Sequence, residues 1–162
     1  MALVPQIADA VRIPVLAAGG TADGQGITVA FALEASGVQP GTAFLGCPEP
    51  AVPPLYPAQL NTVSDDAPEV TPAFTGRPAR AIRNRFVAEI SGAEALKFPL
   101  QASIVCKRAS SARSGQVPDE HVRAQLMPFW AGQAAALIRE PPAGELVDKL
   151  AAETRSVLGR ST

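Results

Sequence analysis

Two short apolar runs that each lead into glycine limit what this chain can fold into. The first run, residues 13–17, leads into Gly19 and Gly20, and the second reaches Gly41 about twenty residues later. Between them, residues 26–35 have the apolar spacing of a helix. Continuous apolar runs separated by a helix are typical of parallel strands. The pattern therefore predicts two adjacent parallel strands joined by a right-handed helical crossover.

Glycine at the end of both strands indicates an anion-binding site. A glycine has no Cβ to block the approach of a ligand to its N–H group, and a helix N-terminus just beyond adds further donors. In (β/α)₈ barrels, the usual phosphate site lies in the loops after the seventh and eighth strands. Gly19 and Gly20 alone would more often form a tight turn. Because Gly41 and Thr42 follow the neighbouring strand, we predict that Gly20 and Thr42 lie close together in a flavin-type phosphate site.

The same interval carries a family resemblance. Residues 13–45 resemble the C-terminal phosphate-binding region of the nitronate monooxygenases, formerly 2-nitropropane dioxygenases, which are FMN-dependent (β/α)₈-barrel enzymes. The resemblance continues at residues 74–86, 99–101 and 130–133. It covers nearly the whole chain but only about the second half of a family member. The chain begins where strand seven would begin, so we expect a truncated barrel.

The resemblance implies FMN as cofactor, and alkyl nitronates and O₂ as substrates, with carbonyl compounds and nitrite as products. It places the cofactor phosphate against Ala18, Gly19, Gly20, Gln39, Pro40, Gly41 and Thr42. Pro40 departs from the family pattern and lacks a backbone N–H, and Thr21 replaces an aliphatic residue. The family's catalytic histidine would fall before Met1, so no catalytic residue is assigned. His121, the only histidine, is predicted to be an exposed helix residue.

Two other functions stay open. A flavin-dependent enoyl-acyl carrier protein reductase would share the glycine-rich interval, but residues 76–78 and 130–133 favour the monooxygenase. A non-catalytic remnant that binds a partner would explain the absence of six strands. We expect the chain alone neither to hold FMN tightly nor to oxidise nitronates. Uncovered core faces would also favour self-association.

Length predicts one domain, and the resemblance implies an α/β protein with two parts. Residues 1–61 would be the last two βα units of the barrel, and residues 62–162 an irregular, mostly helical C-terminal extension that packs on it. A net charge of −1 gives no reason to expect nucleic acid or an anionic membrane as partner. No apolar stretch approaches the ~20 residues of a membrane span. Cys47 and Cys106 have no CxxC spacing, which predicts free thiols in the cytoplasm, and no metal-ligand spacing is present.

Several helices are predicted from apolar spacing and capping residues. They cover residues 2–11, a helix after Asp23, 55–61, 84–91, a helix from Asp119 to Leu126, 133–139, and a last helix after Pro142. The last helix has an apolar stripe made of Leu146, Val147, Leu150, Thr154, Val157 and Leu158. A polar loop is predicted at Ser110, Ser111, Ser114 and Gly115.

Two further features have alternative interpretations. The basic cluster of Arg77, Arg80, Arg83 and Arg85 could pair with a flavin phosphate. We favour a solvated face paired with Asp65, Asp66 and Glu69, because the glycines already serve the phosphate. Trp130 is predicted to be a core residue, and Gln133 or its backbone could approach the active site.

Overall fold

A computed structural model describes residues 1–50, 52, 53, 55–61, 63, 68–90, 95–113 and 118–160. Contacts group the chain into two compact units. Unit 1 contains Met1–Ala51 and Gln133–Thr162, and unit 2 contains Val52–Gly132. This grouping differs from the predicted division at residue 61, because the last helix packs within unit 1. The assignment of residues 1–61 to the barrel and 62–162 to an extension stays a prediction.

Unit 1 is built on a pair of parallel strands. Strand β1 (Leu16–Ala18) pairs with β2 (Gly37–Gln39), and helix α2 (Gly24–Ala32) connects them. Asp23 caps α2 as predicted, since its carboxylate accepts a hydrogen bond from the Gly26 N–H at 2.8 Å. The predicted parallel pair is therefore confirmed.

The last helix, α7 (Ala143–Gly159), packs along α2 and closes the main core of unit 1. Leu146, Leu150 and Thr154 of the predicted stripe are buried. Val147 and Leu158 of the same stripe are 53% and 46% exposed, so only part of the predicted apolar stripe is buried. The buried residues of this core are Ala22, Ile27, Ala43, Cys47, Ala134, Leu146 and Leu150.

Helix α1 (Leu3–Ala10) forms where apolar spacing predicts it, but it buries none of its residues. Leu3 is 66% exposed and Ile7 is 41% exposed. Leu16 on β1 is also exposed. The spacing therefore predicted the helix correctly, and its apolar face lies at the surface of this chain.

Unit 2 combines a hairpin with short helices. Strands β3 (Pro68–Thr71) and β4 (Ala79–Ile82) are antiparallel, with Pro68 opposite Ile82 and Thr71 opposite Ala79. The helices are α3 (Leu55–Leu60), α4 (Arg85–Glu89), α5 (Leu100–Arg113) and α6 (Glu120–Leu126). Asn84 and Asp119 cap α4 and α6, so the predicted starts of these helices are close to those observed.

Aromatic rings occupy the core of unit 2. Phe74 stacks on Phe86 at 5.2 Å between ring centroids, and Trp130 meets Phe74 edge-on at 5.3 Å. Trp130 is half-buried and contacts this core, which agrees with its predicted role. The side-chain hydroxyl of Tyr56 donates to the Trp130 carbonyl at 2.7 Å.

Two predicted elements need correction. Ser110 and Ser111 lie in α5 rather than in a loop. The helix continues through polar residues, although serines in this number are typical of loops. Ser114 and Gly115 lie outside the described residues. The predicted helix over residues 133–139 is a single 3₁₀ turn at Ala135–Leu137.

The arginine cluster makes separate surface contacts. Arg83 pairs with Glu69 at 3.4 Å, as predicted, and Arg85 pairs with Glu89 at 2.6 Å. Arg80 donates to the Pro68 carbonyl, and Arg77 lies over the Phe98 ring. Asp65 and Asp66 lie outside the described residues.

The remaining expectations concern cysteines, metals and membranes. Cys47 is buried, Cys106 is exposed, and both are free thiols, as predicted. Within the described ranges, no group of histidine, cysteine and acidic side chains is arranged to hold a metal ion. In the same residues, no helix has the length and apolar character needed to cross a bilayer.

Candidate functional site

The register of the parallel strands brings two loops to one edge of the sheet. Ala18 lies opposite Gln39, the last residue of β2. Since neighbouring strands are only ~4.8 Å apart, the residues that follow each strand leave the sheet side by side. Gly19 and Gly20 after β1, and Pro40 after β2, therefore leave the sheet at the same edge.

Gly19 and Gly20 have backbone conformations that other residues rarely adopt. Their φ angles are +92° and +70°, in the region that penalises a Cβ. A Cβ built on either residue meets no atom within 4 Å, and the same is true of Gly41. Glycine is thus required at residues 19 and 20 by backbone conformation, and the space in front of all three residues is open. These loops can admit an anion.

A short 3₁₀ helix follows β2 directly. It covers Thr42–Gly46, with Gly41 at its N-cap, and the Phe44 N–H donates to the Gly41 carbonyl at 3.1 Å. The sequence analysis missed this turn because Ala43, Phe44 and Leu45 continue the apolar signal of the strand. The turn fixes the backbone of Thr42 next to the carboxyl end of β2.

The first turn of α2 offers fewer donors than the sequence indicated. The Gly26 N–H is bonded to Asp23, and the Gly24 N–H donates to the Glu153 carboxylate at 3.1 Å. Glu153 also accepts from Arg139 at 2.5 Å. The Arg139 hydrogen bond holds the pKa of Glu153 below its usual value against the opposing effect of burial, and the Gly24 N–H lowers it further. Two carboxylates therefore already occupy this helix terminus, and the candidate site is confined to the strand-end loops.

A second feature of unit 1 is an apolar cavity of about 660 Å³ beside β2. Gln39 and Pro40 of the candidate site line one side of it. Most of the other lining residues come from α2 and α7, and they are Ile27, Phe31, Val38, Phe44, Val147, Leu150, Ala151, Thr154, Arg155 and Leu158. The candidate phosphate loops therefore border an apolar space.

The other residues singled out in the sequence lie in different settings. His121 is exposed on α6, as predicted. Gln133 is exposed, and Trp130 is half-buried. No structural observation assigns these residues to the phosphate loops.

Comparison with models of protein families shows to which family the chain belongs. The model of the nitronate monooxygenase family matches residues 1–153. The chain belongs to the nitronate monooxygenase family. The resemblance seen in its glycine-rich interval is therefore confirmed.

Curated family members match over almost the whole chain. A probable nitronate monooxygenase of Staphylococcus saprophyticus is 33% identical over 99% of this chain and 44% of its own length. One from Staphylococcus aureus strain MSSA476 is 36% identical over 98% of this chain and 43% of its own length. The chain thus spans less than half the length of these nitronate monooxygenases.

Solved structures support the fold. A nitroalkane oxidase from Streptomyces ansochromogenes matches with a TM-score of 0.88 and 36% identity, over 99% of this chain and 45% of that protein. FabK from Thermotoga maritima matches with a TM-score of 0.77 and 33% identity, over 98% of this chain and 49% of that protein. The predicted fold class, an α/β segment of a TIM (β/α)₈ barrel with a mostly helical extension, is confirmed.

Proposed function

We propose that this chain forms the phosphate-binding end of an FMN site in a nitronate monooxygenase. The observation that carries the proposal is the pairing of Ala18 with Gln39, which sets two glycine-ended loops side by side at the carboxyl edge of the strands. Open space in front of Gly19, Gly20 and Gly41 supports it. A phosphate fits this arrangement because bare backbone N–H groups can approach its oxygens without a Cβ in the way.

Each loop has its own part in holding the cofactor. Gly19 and Gly20 would present backbone N–H groups to the phosphate from the end of β1. Ala18, Gln39, Pro40 and Gly41 would form the walls beside them, and Thr42 would add its hydroxyl. The residues of this chain therefore bind and orient the cofactor, and we assign no catalytic residue to them.

The proposed reaction is the oxidation of alkyl nitronates by O₂ to carbonyl compounds and nitrite. When FMN is bound, it supplies the electron-transfer chemistry. Family membership over residues 1–153 supports this reaction, as does the likeness to a nitroalkane oxidase. The second candidate is an enoyl-acyl carrier protein reductase, favoured by the likeness to FabK at a lower TM-score.

A chimera tests the function. This chain would replace the matching 45% of the Streptomyces nitroalkane oxidase. We expect a yellow protein that consumes O₂ when an alkyl nitronate is added. A folded, flavin-loaded chimera that reduces an enoyl thioester, with a reduced nicotinamide cofactor added as hydride donor, and leaves nitronates unchanged would favour the second candidate. A folded chimera without flavin would contradict the cofactor site.

Gly20→Ala in the same chimera tests the phosphate loops. A Cβ at a φ of +70° strains the loop and intrudes on the space reserved for the anion. We expect FMN affinity to fall by about tenfold or more, with riboflavin affinity unchanged because riboflavin has no phosphate. The matched control is Gly144→Ala, where a Cβ also meets nothing within 4 Å but lies on the exposed first turn of α7. Equal FMN affinity in all three proteins would contradict the assignment of Gly20.

A further inference from the structure

The apolar cavity beside β2 has a buried floor and an exposed rim. Ile27, Leu150 and Thr154 line the cavity and are buried, so they form its floor. The Thr154 hydroxyl donates to the Leu150 carbonyl at 2.7 Å and is therefore already hydrogen-bonded. Phe31 and Val147 also line the cavity but are exposed, so they form its rim. A ligand can therefore reach this apolar surface from solvent.

The size of the cavity suits a small molecule. Its volume of about 660 Å³ lies within the ~300–1,000 Å³ of typical ligand sites. Such sites are mostly apolar and have a few polar groups that orient the ligand. Each methylene of an alkyl chain that is buried against an apolar lining raises affinity about fourfold. A flexible aliphatic chain is therefore the ligand that gains most from this space.

Arg155 is the one charged side chain among the described residues that line the cavity. It is exposed, and the ion pairs of the described residues do not include it. Its neighbours three and four positions away on α7 are Ala151, Ala152, Leu158 and Gly159. None of these is acidic, so α7 supplies no ion-pair partner at the usual helical spacing. A cation without a described partner therefore lies beside the apolar surface, where it can attract an anionic group.

We propose that this cavity binds an unbranched aliphatic carboxylate, with its alkyl chain on the apolar lining and its carboxylate on Arg155. The planar guanidinium group of arginine matches a carboxylate through two parallel hydrogen bonds. The cavity selects an anion, since no acidic side chain is among its described lining residues. Gln39 and Pro40 border both this cavity and the candidate phosphate loops, but the inference does not depend on FMN binding there.

Calorimetric titration of the complete 162-residue chain with hexanoate, octanoate and decanoate tests the ligand class. We expect affinity to rise about fifteenfold for each two added methylenes until the cavity is full. Arg155→Met keeps an apolar side chain and removes the charge. It should weaken octanoate binding about fivefold without changing the affinity for octanol. Lys149→Met, exposed on the same helix and outside the cavity lining, is the matched control and should bind octanoate as wild type does.

Filling the cavity tests where the ligand binds. Ala151→Leu enlarges a lining residue and should weaken octanoate binding about tenfold. Ala152→Leu, at an exposed position outside the lining, should leave it unchanged. Circular dichroism checks that both variants fold. In the wild-type chain, NOEs between octanoate methylene protons and the methyl groups of Val147 and Leu158 locate the ligand independently of either variant.

Three results would overturn the inference. The first is an affinity that does not change along the carboxylate series or that Arg155→Met leaves unchanged. The second is a set of NOEs to residues outside the cavity lining. The third is self-association in sedimentation experiments that octanoate neither prevents nor reverses, because the cavity would then be an interface between copies of the chain.

Discussion

The backbone N–H of Gly24 donates to the carboxylate of Glu153 across 129 positions of sequence. This bond joins the start of α2 to the middle of α7, and Arg139 holds the same carboxylate from its other side. A carboxylate at a helix N-terminus also interacts favourably with the helix dipole. The contact ties the last helix to the strand-connecting helix of unit 1.

Glu153→Gln should therefore destabilise unit 1 at neutral pH by about 1 kcal/mol, because the pair is partly exposed. Its pKa is lowered in the folded chain, so its contribution is complete above the unfolded value of about 4.3 and is lost as pH falls through the folded value. Urea unfolding followed by circular dichroism should show wild type and variant converging in acid. Asp148→Asn, exposed on the same helix, is the control. A difference that stays constant down to about pH 2 would contradict this role.

Gly24→Ala should disturb the contact between α2 and α7. A Cβ at Gly24 would lie 2.4 Å from Glu153 Cβ and 2.6 Å from backbone atoms of Glu153 and Thr154. Since backbone cannot move aside cheaply, we expect a loss of about 1–3 kcal/mol. Gly144→Ala, which faces open space in α7, should be neutral or stabilising by up to about 1 kcal/mol. Thermal unfolding of both variants checks the difference, and equal stabilities would show that α7 can shift.

Asn84 links two helices of unit 2. Its Oδ1 accepts from the Val87 N–H at 3.1 Å, and its Nδ2 donates to the carbonyls of Ala124 and Met127. Asn84→Ala should cost about 2 kcal/mol through the lost cap and the unpaired carbonyls. Asn84→Asp keeps the cap but places a carboxylate against two carbonyl oxygens. We expect it to be more stable in acid, where the carboxyl is protonated, than at neutral pH.

The fluorescence of Trp130, the only tryptophan of the chain, reports on these Asn84 variants because it contacts the unit 2 core. The Asn84→Asp variant also separates the capping role of Oδ1 from the two hydrogen bonds that Nδ2 donates. If this variant matched wild type at every pH, the two donor bonds would have no role in stability.

Tyr56 should ionise only in strong alkali. Burial raises the pKa of Tyr56 to about 12. The unfolded chain releases this proton near pH 10, so the folded chain loses stability as pH rises from about 10 to about 12. Tyr56 is the only tyrosine, and tyrosinate absorbance follows it directly. A native titration midpoint near 10 would contradict its burial.

Tyr56→Phe provides the matched variant. It keeps the edge-on ring contact with Phe129 at 5.1 Å and removes the hydrogen bond to Trp130. We expect a loss of about 1 kcal/mol at neutral pH and a smaller fall in stability above about pH 10. Urea unfolding at neutral and alkaline pH measures both effects.

The sequence predicted local features well and distant contacts poorly. Apolar runs, glycines and capping residues such as Asp23 and Asp119 act over a few positions, so the parallel strands and helix starts could be predicted. Helix α5 was missed in part because its serines resemble a loop. The donors of the α2 terminus were overestimated, because Glu153 comes from far along the chain.

Unit 1 is completed by residues that lie on both sides of unit 2 in sequence. On the ribosome, all of unit 2 is therefore made before α7 emerges to cover Ile27 and the rest of its core. At ~5–20 residues per second, roughly ten seconds pass between the synthesis of α2 and that of α7, the helix on which it packs. During that interval the nascent chain exposes an apolar helix face, and we expect chaperones that bind such faces to engage it until α7 has been made and covers it.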